Sequence, residues 1–173
     1  MISLIAGKYK GKKLYQFSNT YVRPTQAKIR KSVFQILEPF DGLEVLDLYA
    51  GVGTLGFEAL SRGAALAVFV EKDRRVYKIL EKNTTLFPSE KMRLHLCDAV
   101  QFISQGHSNQ FDIIFADPPY TMTDFQYLKE NVQNCLKPNG IFCMEMKKQN
   151  IDNSPSRIKY FGSTQVVFWK AAS

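Results

Sequence analysis

Apolar and polar positions alternate along the chain in a pattern that predicts five strands and four helices after residue 43. The predicted strands are the apolar runs at 44–48, 66–70, 92–96, 111–116 and 141–144. The predicted helices are the stretches at 55–62, 74–87, 99–104 and 124–136. Strands that alternate with helices are typical of an α/β fold with a mostly parallel, doubly wound sheet. A further alternating run at 156–170, which contains Gly162 and Ser163, predicts a closing antiparallel hairpin.

Residues 1–40 are predicted to form an extension of this body, which we expect to span residues 41–173. Two short apolar runs, 2–5 and 14–17, flank a basic loop between Gly7 and Gly11 and so predict a small β-hairpin.

The hairpin is followed by a predicted helix. Arg23-Pro24-Thr25 predicts an extended segment that ends in a helix cap, with the helix running from about residue 26 to Leu37. Its apolar stripe consists of Ile29, Val33, Ile36 and Leu37. The opposite face carries Lys28 and Lys31, with Arg30 near the boundary, so we expect the helix to pack on the body and show cations outward.

Length and composition limit the possible classes of protein. At 173 residues and 45% hydrophobic, the chain is long enough for one core-bearing domain with an appendage. It contains neither an apolar stretch of membrane-spanning length nor an N-terminal signal segment, so we expect a cytoplasmic protein. Its three cysteines are scattered without metal-type spacing, and we expect reduced core residues.

Positive charge is concentrated near the N-terminus. Residues 1–38 carry eight basic side chains and one acidic one, whereas the remainder carries 15 of each sign. The eight are Lys8, Lys10, Lys12, Lys13, Arg23, Lys28, Arg30 and Lys31. A local basic patch beside a neutral body is typical of contact with nucleic-acid phosphates. A solvated surface or a transit peptide has a similar composition, but the predicted hairpin favours a folded extension over a cleaved leader.

The turn after the first predicted strand contains a glycine motif, with Gly51, Gly53 and Gly56 in G-x-G-x-x-G spacing. Glu71 follows Gly51 by 20 residues, at the end of the second strand, where a carboxylate can bind ribose hydroxyls. The motif fits both a nicotinamide dinucleotide and S-adenosylmethionine. Asp47, four residues before Gly51, favours the second because it could bind the methionine ammonium group.

Asp98 also favours S-adenosylmethionine. It follows the third predicted strand, where a carboxylate can accept from the adenine amine while Ala99 packs nearby. Taken alone, each acid is better explained as a helix cap or a solvated turn residue. Together they predict a ligand site, because open α/β sheets bind ligands at the carboxyl ends of their strands.

The most informative segment is Asp117-Pro118-Pro119-Tyr120, which directly follows the predicted strand at 111–116. Two prolines cannot donate to a sheet ladder, so the strand must end there. The Asp117 carboxylate and the Pro118 carbonyl can each accept one N–H of an aromatic amine, while Tyr120 can stack on the base. The motif therefore predicts a nucleobase amine clamp, with adenine, cytosine and guanine all eligible. A proline-rich turn with a half-buried tyrosine is the simpler structural explanation.

These residues together resemble the RsmD family, bacterial small-subunit ribosomal RNA guanine-N2 methyltransferases with a class I methyltransferase (Rossmann-like) fold. The resemblance covers nearly the whole chain. The matching elements are Ile-Ala-Gly-Lys-Tyr-Lys-Gly-Lys-Lys-Leu at 5–14, Arg23-Pro-Thr25, Arg30, Phe34, the stretch 46–64, Glu71, Asp73, Asn83, Asp98 and Asp117 to Tyr120.

The resemblance implies methyl transfer from S-adenosyl-L-methionine to N2 of one guanosine in 16S rRNA, with S-adenosyl-L-homocysteine as the product. It further implies a monomer that acts on a partly assembled small subunit and needs no metal. The implied catalytic residues are Asp117, Pro118, Pro119 and Tyr120. The implied cofactor-binding residues are Asp47, Tyr49, Ala50, Gly51, Gly53, Gly56, Glu71, Lys72, Asp98 and Ala99. The implied RNA-binding residues are Lys8, Lys10, Lys12, Lys13, Arg23, Thr25 and Arg30.

Other functions use some of the same features. An adenine-N6 or cytosine-N4 methyltransferase acting on another nucleic acid would use the same clamp, but DNA enzymes of this kind need a target-recognition region that this chain is too short to hold. A nicotinamide-dependent oxidoreductase would use the glycine turn and leave the clamp without a role. A non-catalytic RNA-binding assembly factor would not need all four of the acids Asp47, Glu71, Asp98 and Asp117.

Overall fold

The computed structural model describes residues 2–17, 27–108, 110–119, 125–151 and 155–172. The strands are β1 (Glu44–Asp47), β2 (Leu66–Glu71), β3 (Met92–Leu96), β4 (Phe111–Ala116), β5 (Leu136–Lys147), β6 (Arg157–Phe161) and β7 (Thr164–Lys170). The helices are α1 (Ala27–Leu37), α2 (Thr54–Ser61), α3 (Arg74–Thr84), α4 (Ala99–Ile103) and α5 (Phe125–Val132), and α5 continues into a 3-10 turn at Gln133–Cys135.

All seven strands form one sheet in the order β3-β2-β1-β4-β5-β7-β6. The first five in this order are parallel to one another, and β7 pairs antiparallel with both β5 and β6. The predicted fold is therefore confirmed. The chain runs outward from β1 to β2 and β3 on one side, then crosses back to β4 on the other side of β1. The strand order therefore reverses between β1 and β4, and the crevice at the carboxyl ends of these two strands is where sheets of this type bind ligands.

Two apolar cores cover the two faces of the sheet. One contains side chains of the N-terminal extension, α1, α2 and α3, with Leu4, Phe34, Phe57 and Leu80 among its buried members. The other contains side chains of α4 and α5. Residues 2–17 and α1 therefore share a core with the sheet. Within the described part of the chain, no helix is both long and apolar enough to cross a membrane.

Most predicted elements lie within a few residues of the observed ones, and the largest difference is at β5. The sequence pattern predicts a strand at 141–144, but β5 extends over 12 residues. The segment Lys-Pro-Asn-Gly at 137–140 breaks the apolar pattern, so the first half of β5 is not recognised as a strand from the sequence. Asn139 has a φ of 63°, and the register against β4 shifts between Phe111 and Ile113, so the strand continues through an irregularity.

The predicted N-terminal hairpin is confirmed as a chain reversal, although its ladder is short. Ser3 and Lys13 form a single antiparallel bridge, and the Leu4 N–H donates to the Lys12 carbonyl at 3.0 Å. The loop between the two arms binds α2 instead of extending the ladder. The Lys8 N–H donates to the Ser61 carbonyl at 2.8 Å and the Tyr9 N–H to Ser61 Oγ at 3.0 Å.

Glu58, in the middle of α2, is the main anchor of this extension. Its side chain is fully buried, and its carboxylate accepts from the backbone N–H groups of Ile5 at 2.8 Å and Ala6 at 3.1 Å. Arg62 Nε donates to the same carboxylate at 2.9 Å, and Arg30 Nε lies 3.9 Å from it. A buried carboxylate needs such partners to remain charged.

Arg30 differs from its predicted role. It is 3% exposed and donates from its guanidinium to the Ser3 carbonyl at 2.6 Å. Its charge is therefore used inside the protein, beside Glu58, and it is not placed to meet a phosphate. Lys28 and Lys31 on the other face of α1 are exposed, as predicted, and Phe34, which the predicted stripe omits, is fully buried.

The cysteines agree with the prediction in part. All three are free thiols, and Cys135 and Cys143 are buried in the core. Cys97 is only partly buried because it lies between β3 and α4 at the edge of the sheet.

Candidate active site

Asp47 ends β1 at the centre of the sheet's carboxyl edge. It is 1% exposed, and its Oδ2 accepts from the Gly56 N–H at 3.2 Å. Its Oδ1 is also buried and has no hydrogen bond of normal geometry among the described residues. The nearby Tyr49 N–H still lowers the pKa of the Asp47 carboxyl group. A buried carboxylate oxygen of this kind calls for a donor from a ligand.

Burial raises the pKa of Asp47 to about 7. The negative charges of Asp117 and Glu71 raise it further, whereas the backbone amides of Gly56 and Tyr49 oppose the shift. Asp47 is level with Phe69 and Phe115, two residues before Glu71 and Asp117, so the three carboxylates lie at the same edge of the sheet on adjacent strands. Such a site favours a cationic group.

Glu71, at the end of β2, is held toward the glycine turn. Its Oε2 accepts from the Gly51 N–H at 3.0 Å, and its Oε1 accepts from the Asp73 N–H at 2.8 Å. Gly51 has a φ of 56°, a left-handed conformation that glycine adopts without strain. Glu71 is therefore held against the glycine turn.

The other two glycines of the motif have a packing explanation. A Cβ on Gly53 would lie 2.2 Å from the Phe57 ring, and one on Gly56 would lie 2.2 Å from the Phe69 ring. Sequence reasoning assigned both glycines to close approach of a ligand. The structure shows that each is needed so that α2 can pack against its own core.

Asp98, after β3, serves as the N-cap of α4. Its Oδ1 accepts from the Val100 N–H at 2.9 Å, which is the structural alternative considered for this residue. Its Oδ2 lies 3.6 Å from the ammonium of Lys72, which follows Glu71. Ala99 is buried as the first residue of α4. Capping therefore uses only one of the two carboxylate oxygens.

The predicted clamp follows β4, and its first three residues are described. Asp117 is partly buried, Pro118 is buried and Pro119 is exposed. Since β4 is adjacent to β1, Asp117 lies close enough to raise the pKa of Asp47. Tyr120, the predicted stacking residue, lies outside the described residues.

The predicted RNA-binding cations differ in their surroundings. Lys8 Nζ lies 2.9 Å from Glu90, and the hydrogen bond to Glu90 raises the pKa of Lys8. Lys12 Nζ donates to the Leu86 carbonyl at 3.0 Å. Lys10 and Lys13 are exposed and form no ion pair within the part of the chain that the structure describes. Arg23 and Thr25 lie outside that part.

Asn83 connects the N-terminal extension to the glycine turn, because it also hydrogen-bonds the backbone of Tyr15. It is fully buried at the end of α3, and its Nδ2 donates to the Val52 carbonyl, between Gly51 and Gly53, at 2.8 Å. Sequence reasoning noted Asn83 and Glu58 only as parts of matching segments. A signal was present for Asn83, whose neighbours at helical spacing, Ile79, Leu80, Leu86 and Phe87, are all apolar.

Comparison with known proteins gives matches over almost the full length. A family model described as "Conserved hypothetical protein 95" matches residues 2–170. Ribosomal RNA small subunit methyltransferase D from Haemophilus influenzae is 36% identical over 155 residues, which cover 85% of this chain and 79% of that protein.

Solved structures agree with this result. The putative methyltransferase yhhF from Escherichia coli has a TM-score of 0.88 at 28% identity, and the match covers 99% of this chain and 98% of that one. An RNA methyltransferase from Salinibacter ruber, solved with S-adenosyl-L-homocysteine, has a TM-score of 0.71 at 16% identity over 87% of this chain and 95% of that one, a likeness of fold alone. The chain therefore belongs to the ribosomal RNA small subunit methyltransferase D family of S-adenosylmethionine-dependent methyltransferases.

Proposed function

We propose that this chain transfers a methyl group from S-adenosyl-L-methionine to the exocyclic N2 amine of one guanosine in 16S rRNA. The observation that carries the proposal is the convergence of Asp47, Glu71 and Asp117 at the carboxyl edge of the sheet, in a chain of this family. The fold supports it, because the crevice at the switch point between β1 and β4 is the ligand position of this sheet type.

The residues around β1 and β2 fit the cofactor. Asp47 offers a buried oxygen to the methionine ammonium group, and Glu71 offers its carboxylate to the ribose hydroxyls. Asp98 would accept from the adenine amine through Oδ2, the oxygen that does not cap α4. The remaining proposed contacts are Tyr49, Ala50, Gly51, Gly53, Gly56, Lys72 and Ala99. When bound, the cofactor supplies an electrophilic methyl group on a sulfonium centre.

The clamp holds the nucleophile. A guanine amine is weakly nucleophilic because its lone pair is delocalised into the ring, so catalysis depends on orientation. The Asp117 carboxylate and the Pro118 carbonyl accept its two N–H groups, and Tyr120 stacks on the flipped base. As the nitrogen gains the methyl group it becomes positively charged, and Asp117 stabilises that charge and takes the proton. The products are N2-methylguanosine, S-adenosyl-L-homocysteine and one proton.

We assign residues 1–40 to RNA contact and residues 41–173 to the methyltransferase reaction. Within the extension, Lys8, Lys10, Lys12 and Lys13 bind phosphates, together with Arg23 and Thr25. Arg30 is excluded because it is buried beside Glu58. The enzyme acts as a cytoplasmic monomer on a partly assembled small subunit.

The experiment that tests this function is methyl transfer with labelled S-adenosylmethionine to small subunits from a strain that lacks the modification. Digestion of the RNA to nucleosides should place all the label in N2-methylguanosine. Label in N6-methyladenosine or N4-methylcytidine would refute the choice of base. Absence of transfer to subunits, free 16S rRNA and assembly intermediates would refute the activity.

A further inference from the structure

A second basic segment lies at the C-terminal end of the chain. Of the 15 basic residues after residue 38, five lie within 146–173, a stretch whose sequence has Asp152 as its one acid. Residues 39–145 consequently carry 10 basic and 14 acidic side chains. The net charge of residues 39–173 is therefore zero because an acidic stretch at 39–145 is followed by a basic one at 146–173.

Part of this segment lies at the same edge of the sheet as the clamp. β5 ends at Lys147, and β6 runs in the same direction as β5 because both are antiparallel to β7. Tyr160 in β6 pairs with Gln165 in β7, and Gln165 pairs with Met146 in β5. Met146 lies two residues beyond Met144, which pairs with Ala116 in β4. Tyr160 is therefore level with Pro118 and three strand positions away, about 14 Å at about 4.8 Å per strand.

Lys148 and Tyr160 form a preorganised pair on this edge. The Lys148 Nζ lies 5.3 Å from the centroid of the Tyr160 ring, and Tyr160 is 58% exposed. The backbone N–H of Lys148 donates to the carbonyl of Ser163, in the β6–β7 turn, at 2.9 Å. An exposed ring beside an ammonium group offers a base a stacking surface and a phosphate a cation.

The rim formed by Lys148 and Tyr160 lies across the sheet from the N-terminal extension, whereas Lys147, level with Phe161, lies on the face of the extension. Phe161 packs against the core that contains the extension, whereas Ile158 packs against the other core. Since side chains alternate along a strand, Tyr160 projects toward the same face as Ile158. The clamp edge thus has the basic extension on one face of the sheet and the Lys148–Tyr160 pair on the other.

We propose that this C-terminal rim binds unpaired nucleotides of the substrate RNA that flank the target guanosine, which it helps to hold out of its stack. The inference rests on the proposed function and adds a second RNA surface to it. RNA fits better than an acidic protein because the rim pairs a cation with an exposed aromatic ring and lies on the same edge of the sheet as the clamp.

The test compares Lys148→Glu and Tyr160→Ala with Lys170→Glu as a matched control. Lys170 is exposed at the end of β7, so the same charge change falls at the opposite edge of the sheet. Each rim variant should raise the KM for small subunits about five- to a hundredfold, the range expected for one lost base stack, with kcat and cofactor affinity unchanged. Tyr160→Phe, which keeps the ring, should restore the KM, and Lys170→Glu should leave it unchanged.

Direct binding gives a second readout that activity does not affect. For protein-free 16S rRNA, Lys148→Gln should reduce the slope of log affinity against log salt by about one. Unchanged KM and salt slope would overturn the proposal, as would an equal loss in Lys170→Glu. If the rim variants impaired action on subunits but bound protein-free RNA normally, the rim would contact a ribosomal protein, which also overturns it. A wild-type product other than N2-methylguanosine would instead refute the proposed function.

Discussion

The Asn83 side-chain amide hydrogen-bonds both backbone groups of Tyr15, as a neighbouring strand would. Its Oδ1 accepts from the Tyr15 N–H at 2.7 Å, and its Nδ2 donates to the Tyr15 carbonyl at 3.0 Å. The same Nδ2 donates to the Val52 carbonyl in the glycine turn. One buried amide therefore joins the chain that leads to residues 18–26 with the loop proposed to hold the cofactor.

Replacement of Asn83 by leucine should lower the free energy of unfolding by about 2–5 kcal/mol, because it leaves the buried Val52 carbonyl and the partly buried backbone groups of Tyr15 without this partner. Urea denaturation measures the loss, and amide exchange at Tyr15 should become faster. Asn131→Leu is the control, since the Asn131 amide donates to the Tyr127 carbonyl at an exposed position. Similar losses in the two variants would contradict the proposed linkage.

Glu58→Gln should detach the N-terminal extension. Glutamine has one acceptor oxygen where the carboxylate has two, and it removes the negative charge that lies beside the buried side chains of Arg30 and Arg62. The expected loss of stability is about 3–5 kcal/mol, with faster protease cleavage before residue 27.

Glu38→Gln is the matched control for Glu58→Gln. Glu38 also pairs with Arg62, but its side chain is 48% exposed, so its loss should cost less than about 1 kcal/mol. An extension that is equally protected from protease in wild type and Glu58→Gln would show that the carboxylate is not its anchor.

The raised pKa of Asp47 predicts how the stability of the cofactor-free protein depends on pH. Between about pH 4 and about pH 7 the folded protein holds a proton that the unfolded chain has released, so stability falls as pH rises through this window and levels off above it. Asp47→Asn should remove this dependence and be more stable than wild type at pH 8, by an amount on the order of 4 kcal/mol. Denaturation midpoints across this pH range measure the difference.

Asp73→Asn serves as the control for Asp47→Asn, because Asp73 makes stability depend on pH in the opposite direction. Backbone hydrogen bonds from Val76 and Arg75 lower the pKa of Asp73, so its contribution to stability is present at neutral pH and is lost as the pH falls through that lowered value. A pH profile of Asp47→Asn that matches wild type would show that Asp47 is ionised in the folded protein throughout.

Asp117→Asn should reduce the kcat for methyl transfer about a hundredfold or more, because the amide cannot stabilise positive charge on the amine or take its proton. Cofactor affinity, measured by calorimetry, should change little. Asp112→Asn offers a control on the same strand, since Asp112 lies at the other end of β4 and binds Lys137. Full activity of Asp117→Asn would refute the proposed role of the clamp.

The sequence by itself determined the order of strands and helices, the glycine turn, the acids at strand ends and the Asp-Pro-Pro-Tyr segment. These features are local, because periodicity and spacing along the chain specify which residues end each strand. It also indicated a basic extension through composition alone. The boundaries of β5 were wrong because a strand that contains Lys-Pro-Asn-Gly depends on its neighbours for continuity.

Only the tertiary structure decided how each charge is used. It buried Arg30 and Glu58 together, explained Gly53 and Gly56 by packing, and raised the pKa of Asp47 by burial beside Asp117 and Glu71. It also placed Lys148 and Tyr160 at the edge of the sheet that carries the clamp. These contacts join residues that are far apart in the sequence, and they form only when the strands and helices pack in one particular order. Local sequence patterns specify the strands and helices but not that order.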